Sequence, residues 1–141
     1  MMIIQNKLMK FVLKKILKFK GGMFIGKKVK FNKKHFNIKV YSYYDGGIRL
    51  RYENKTESHD ITVNIGETFL DDGKVLLDPF ILKNGFIKVL KKYRIIREIT
   101  GITMFGNVEI PIAKLNMGKL REFDNCGVKK YLNERTDVYR K

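Results

Sequence analysis

Lys28, Lys30, Lys39, Arg49 and Arg51 recur at every second position of three short segments, and Tyr41 and Tyr43 share the alternation of Lys39. Side chains two residues apart point to one side of an extended chain, so these cations and aromatics are expected on one exposed surface. Cations neutralise phosphates and rings stack on bases, which is the pairing that a nucleic-acid or anion-binding surface uses. A second group, Phe80, Asn84, Arg94, Arg97, Lys114 and Arg121, lies farther along the chain. It could clamp a small phosphate-bearing ligand, with Phe80 and Asn84 on a base and Arg97 and Arg121 on the phosphates.

Other chemistries find no support. The chain has no nucleophile elbow, phosphate-binding glycine loop, dinucleotide fingerprint or HExxH pair. Cys126 has no base nearby in sequence and reads as a buried or half-buried spectator thiol. His35 stands among lysines and His59 beside Asp60, where surface roles are expected, and the adjacent carboxylates Asp71 and Asp72 belong to a turn. One cysteine cannot form a disulfide framework or a Cys-rich zinc site, and two histidines are too few to complete a His-type one. The expectation is therefore a binding protein, not an enzyme, with no metal and no cofactor.

Charge gives the partner class. Thirty Lys+Arg against 14 Asp+Glu make the 141-residue chain +16, which favours anionic partners. Twelve lysines precede the first acid, Asp45, so most of that charge is N-terminal. No run of apolar residues is long enough to cross a bilayer as a helix. The scarcity of cysteine suits a reducing compartment, and the cytoplasm is the expected location.

The elements that must position these residues follow from periodicity. Residues 1–22 carry lysines on one side of a helical wheel and Leu8, Val12, Leu13, Ile16 and Phe19 on the other, a basic amphipathic extension that could lie on an anionic membrane or on another subunit. Gly21-Gly22 reads as a hinge to a single α+β domain over 23–141. From Val29 the period becomes two: Val29 and Phe31, then Phe36, Ile38 and Val40, then Ile48, Leu50 and Tyr52 across Asp45-Gly46-Gly47. After a turn-like stretch from Asn54 to His59, Ile61, Val63 and Ile65 continue the alternation, so one antiparallel β-meander is expected. Asp78-Pro79 caps a main helix whose apolar face, Leu82, Phe86, Val89, Leu90 and Tyr93, covers the meander, with Asn84-Gly85 as an alternative start. Strands follow at Ile95–Ile102 and Val108–Leu115, where Pro111 marks a sheet edge. Short helices separated by Asn125-Cys126-Gly127 close the chain.

Val75 to Leu90 (VLLDPFILKNGFIKVL), Tyr93-Arg94-Ile95-Ile96 and Val108 to Leu115 (VEIPIAKL) resemble a family of small proteins of clostridial phages and conjugative elements. In that family a strand, an Asn-Gly helix start and a V-x-[IV]-P-[IV] strand recur in this order. Its acidic residues near the Asn-Gly site are Leu82 and Lys83 here. The resemblance implies a phage or mobile-element accessory, and the size and layout are similar to the nucleotide sponges of the Thoeris anti-defence type. It thus implies counter-defence by sequestering a nucleotide immune signal. The alternative is a sequence-nonspecific nucleic-acid-binding protein that uses the N-terminal lysines and the Arg49-Arg51 face.

A helix as short as 1–22 is marginal alone in water. A chain starting at Met23 is therefore expected to keep its cooperative thermal melt while losing affinity for anionic vesicles or nucleic acid. Unfolding of that shortened chain would contradict the assignment of 1–22 as an extension.

Overall fold

A computed structural model describes residues 26–65, 70 and 73–140, with side chains described to residue 134. The helix expected at 1–22, the hinge at Gly21-Gly22 and the turn at Asp71-Asp72 lie outside the described residues. The architecture is α+β, but the expected single meander is two antiparallel four-stranded sheets. β1 (Lys28–Phe31), β2 (Lys34–Ser42), β3 (Ile48–Glu53) and β4 (Ser58–Asp60) form the first in chain order. β5 (Thr62–Val63), β6 (Lys74–Leu77), β7 (Ile96–Phe105) and β8 (Val108–Leu115) form the second, in the order β5-β6-β8-β7.

Turn chemistry sets the first sheet. Asn32 and Lys33 both adopt positive φ, 50° and 64°, the two-residue hairpin turn whose twist matches the strands it joins. Between β2 and β3, Tyr43 N–H donates to Gly47 O at 2.7 Å and Gly46 takes φ 92°. Asn54 Oδ1 accepts from the N–H groups of Thr56 and Glu57, closing the turn before β4. The resulting register is Val40↔Leu50 and Ile38↔Tyr52 inside, Lys39↔Arg51 and Tyr41↔Arg49 outside.

The alternation Ile61, Val63, Ile65 does not continue this sheet, because Ile61 is the joint between the two. Its N–H donates to Leu50 O while its own carbonyl accepts from Asp78 N–H, both at 2.9 Å, and the side chain is fully buried. Thr62, also buried, presents Oγ1 to Leu50 N–H at 3.1 Å. A backbone that bonds both ways at one residue cannot extend the first ladder.

The main helix is likewise two. α1 (Pro79–Lys83) is capped by Asp78, whose carboxylate accepts from Phe80 N–H at 2.9 Å, and α2 (Phe86–Lys92) begins after Gly85 at φ 86°. Asn84 Oδ1 accepts from Phe86 N–H at 2.9 Å, the alternative start foreseen at Asn84-Gly85. The break rotates the apolar face: Ile81 is buried and Leu82 exposed, contrary to the single stripe through Leu82. Phe86 stacks on Tyr52 of β3 with ring centroids 3.8 Å apart, and Phe31 meets both rings edge-on. Thus α2 covers the inner face of the first sheet.

Asn116 caps α3 (Met117–Arg140) through Oδ1 to Lys119 N–H, and this helix breaks at Asp124 (φ −152°, ψ 76°), one residue before the separator expected from the sequence. β1 pairs only with residues 34–37 of β2, so the later edge of β2 would be bare beyond it. Asp124 fills that edge. Its Oδ2 accepts from Val40 N–H at 2.9 Å and its Oδ1 from Gly127 N–H at 3.1 Å, capping the second half of α3. Gly127 has to be glycine, since a Cβ there would stand 2.6 Å from Val40 O and collide with the Asp124 carboxylate. Gly26 presses in the same way on the backbone of Phe123, and Lys27 N–H donates to Glu122 O at 3.0 Å.

Removing a buried acceptor leaves its donors desolvated, which costs about 1–3 kcal/mol. Asp124→Ala is expected to lose stability in that range in urea denaturation, with Asp124→Asn, which keeps one oxygen, in between. Gly127→Ala is expected to lose more than Asp124→Asn, because no shift of a flexible side chain relieves contact with a strand carbonyl. A wild-type midpoint for Asp124→Ala would contradict this account of the helix break.

Candidate nucleic-acid interface

The strand register assembles the first group of residues as the spacing suggested. On the outer face of the first sheet, Lys39 stands opposite Arg51, Arg51 opposite Asp60, and Tyr41 opposite Arg49. The neighbouring rows carry Lys28 opposite Asn37, Asn37 opposite Glu53, and Lys30 opposite His35. Five cations therefore share one face with the carboxylates of Glu53 and Asp60, a net positive surface.

These cations are held in two ways. Arg49 Nε and Nη2 donate to Asp60 Oδ1 at 3.3 and 3.2 Å. Arg51 Nε lies 3.2 Å from the same oxygen, within ion-pair range but not aligned for a hydrogen bond. One carboxylate thus orients two guanidinium groups and neutralises only one charge. At this exposure such pairs contribute about 0–1 kcal/mol, so their effect is on position more than stability. Lys28, Lys30 and Lys39 make no ion pair among the described residues. Lys34, by contrast, is engaged by Glu57 at 2.8 Å, and the same carboxylate lies 2.9 Å from His59 Nε2. The Lys34 hydrogen bond, then that of His59, holds the Glu57 carboxyl below the usual range.

The two tyrosines part company. Tyr41 is 41% exposed and lies along the face, its hydroxyl donating to Glu53 Oε1 at 3.1 Å. Tyr43 is not on the open platform expected for it: its hydroxyl is 2.8 Å from Thr62 Oγ1 at the joint between the sheets. Burial raises the phenol pKa at Tyr41, Tyr43 and Tyr52 alike. The Glu53 charge adds to it at Tyr41, while hydrogen bonds from Thr62 and Asn84 oppose it at the other two.

The second group is not drawn together by any hydrogen bond or ion pair. Asn84 Nδ2 donates to Tyr52 Oη at 3.1 Å while its Oδ1 caps α2, so the amide is committed to the fold. Phe80 is 56% exposed on α1. Arg97 stands in the irregular first half of β7, Arg94 in a left-handed turn at φ 60°, Arg121 on α3, and Lys114 on β8 opposite Lys74 and Glu98. Cys126 is exposed, correcting the expectation of a buried or half-buried thiol.

Asp60, Glu53 and Asn37 are the residues of the face that the spacing of cations did not indicate. Ser58-His59-Asp60 is polar throughout and none of its side chains is buried, so neither period nor composition set β4 apart from the turn-forming residues from Asn54 onward. Among the described residues, no helix is long and apolar enough to cross a membrane. No protein-family model, curated protein or solved structure matches the chain.

The tyrosine shifts carry a sign. A raised folded pKa means that the stability it supplies is complete below the ordinary phenol value near about 10 and is lost as pH rises through the folded value. Tyrosinate absorbance is expected to show phenols titrating late in the native protein, with the denaturation midpoint falling over the same alkaline range. Tyr43→Phe should remove one late phenol and flatten that fall.

Proposed function

We propose that this chain is a non-enzymatic binder of single-stranded nucleic acid, without sequence preference, and that the outer face of the first sheet is its binding surface. The observation that carries the reading is the register placing Lys39, Arg51, Arg49 and Tyr41 in adjacent cross-strand pairs, flanked by Lys28 and Lys30. Phosphates would lie along Lys28, Lys30 and Lys39, whose ammonium groups make no ion pair among the described residues and would exchange counterions for them. Arg49 and Arg51, pre-oriented by Asp60, would take a further phosphate at little cost in side-chain ordering. The Tyr41 ring, tethered through its hydroxyl, offers a stacking surface that every base can use.

A nucleotide or other small phosphate-bearing ligand at Phe80, Asn84, Arg97 and Arg121, with the counter-defence role implied by the phage-family resemblance, is the competing proposal. It asks Asn84 to release Tyr52 or Phe86 before reading a base, whereas the sheet face requires no such rearrangement.

Counterion release sets the expected magnitude. For single strands the logarithmic salt slope is about −0.7 per phosphate contact, so three contacts cost about 20-fold in affinity between 50 and 200 mM salt and five cost about 10². Fluorescence anisotropy with a labelled oligonucleotide should fall in that range. Lys39→Glu and Lys28→Glu should each weaken binding and flatten the slope by about 0.7, with unchanged thermal melts. Affinity indifferent to salt and to both substitutions would overturn the reading. Calorimetric heat with cyclic nucleotides that Arg97→Ala or Arg121→Ala abolishes would favour the competing proposal.

A further inference from the structure

Among the described residues β7 is the longest sheet edge, ten residues whose outer side has no strand beside it. The other edges are blunted. β4 has three residues and β5 two, while β1 has four and its Lys30 N–H is taken by Tyr93 Oη at 3.1 Å. Exposed edges are ordinarily guarded by charge, by bulges or by brevity. The first half of β7 has that guard: its pairing with β8 shifts between Ile96 and Glu98 and again between Ile99 and Gly101. From Gly101 to Phe105 the register is regular, and from Ile99 to Val108 the sequence contains no charged residue.

This second half also projects. β6 pairs with β8 only from Ile112 to Lys114, so the ribbon beyond Pro111 has two strands. It shows apolar side chains on both faces: Ile102 (60% exposed) and Met104 (57%) on one, Phe105 (61%) and Val108 on the other. Such exposure on a chain of net charge +16 marks a contact surface.

We propose that Gly101–Phe105 is a dimerisation edge, pairing antiparallel with the same segment of a second copy about a two-fold axis at Thr103. In that register Ile102 faces the partner's Met104, Met104 faces the partner's Ile102, and Thr103 faces the partner's Thr103. These four apolar side chains form one cluster. On the other face, Gly101 lies opposite the partner's Phe105, and the absent side chain leaves room for the ring, a pairing that favours glycine in strands. The segment is thus complementary to itself. The absence of charge from Ile99 to Val108 lets two strongly basic copies meet there without opposing lysines. A nucleic acid would find no cation on this ribbon, which separates the two surfaces.

Sedimentation of the full chain over a range of concentrations should show a monomer–dimer equilibrium. Met104→Glu alone should raise the dissociation constant at least about ten-fold, since it places a second carboxylate beside Glu109, which stands opposite Met104 on the same face, and Ile102→Lys should weaken association by putting a charge in the apolar cluster. Both positions are more than half exposed, so circular dichroism melts should match the wild type. Mixing Ile102→Lys copies with Met104→Glu copies should restore association, because this register sets the two substituted positions opposite one another. A wild type that stays monomeric at every concentration would overturn the proposal. So would a dimer that neither substitution weakens, or one that the mixture fails to restore.

Discussion

The carboxylate of Asp124 is the constraint on which the arrangement of the first sheet depends. Only 8% exposed, it joins the edge of β2 at Val40 to the second half of α3 at Gly127, and it does so where β1 is too short to pair with β2. A backbone N–H buried without a partner is costly, so something must fill that edge. The helix breaks to supply it. The flanking backbone is used as well: Glu122 O accepts from Lys27 N–H, and the Phe123 ring meets Tyr93 edge-on, whose hydroxyl accepts from Lys30 N–H. One helix break therefore secures β1 and β2 together.

That anchoring bears directly on the outer face. Val40 lies between Lys39 and Tyr41, so the edge bond to Asp124 and the outward presentation of a cation and a ring are consecutive positions of one strand. Across the ladder, Leu50 is fixed by Ile61 and Thr62 from the inside, while Arg49 and Arg51 on either side of it converge on Asp60. The alternation of a strand turns a rigid core into a rigid surface. A surface whose charges are already positioned loses less side-chain freedom when an anion arrives, which is how a modest patch gains affinity.

Much of this was legible in the sequence because a period of two is unambiguous where one side is apolar. Val29, Phe36, Ile38, Val40, Ile48, Leu50 and Tyr52 are all buried as their alternation implied, and the cations between them face outward. Asp78-Pro79 marked a helix start for a local reason, a cap and a fixed φ, and the helix begins there. Departures arose where tertiary contacts decide. Ile61, Val63 and Ile65 alternate as a fourth strand would, yet Ile61 changes sheet, a choice made by partners distant in sequence. The interruption at Asn84-Gly85 was legible from local chemistry, but not that a separate short helix would precede it and turn Leu82 out. Tyr43 follows the alternation of Tyr41 in sequence, but lies past the end of β2 and reaches Thr62 instead. Asp124 resembles any acid on a helix until the bare edge of β2 is placed beside it.

The most direct test of the central claim is the footprint of a bound strand. Titrating a pyrimidine oligonucleotide into the isotope-labelled full chain, and following backbone amide shifts, is expected to perturb Lys28, Lys30, Lys39, Tyr41, Arg49 and Arg51 together, with the tip of the β7–β8 ribbon unchanged. Shifts concentrated at Phe80, Asn84, Arg97 and Arg121, or no shifts at all, would contradict it.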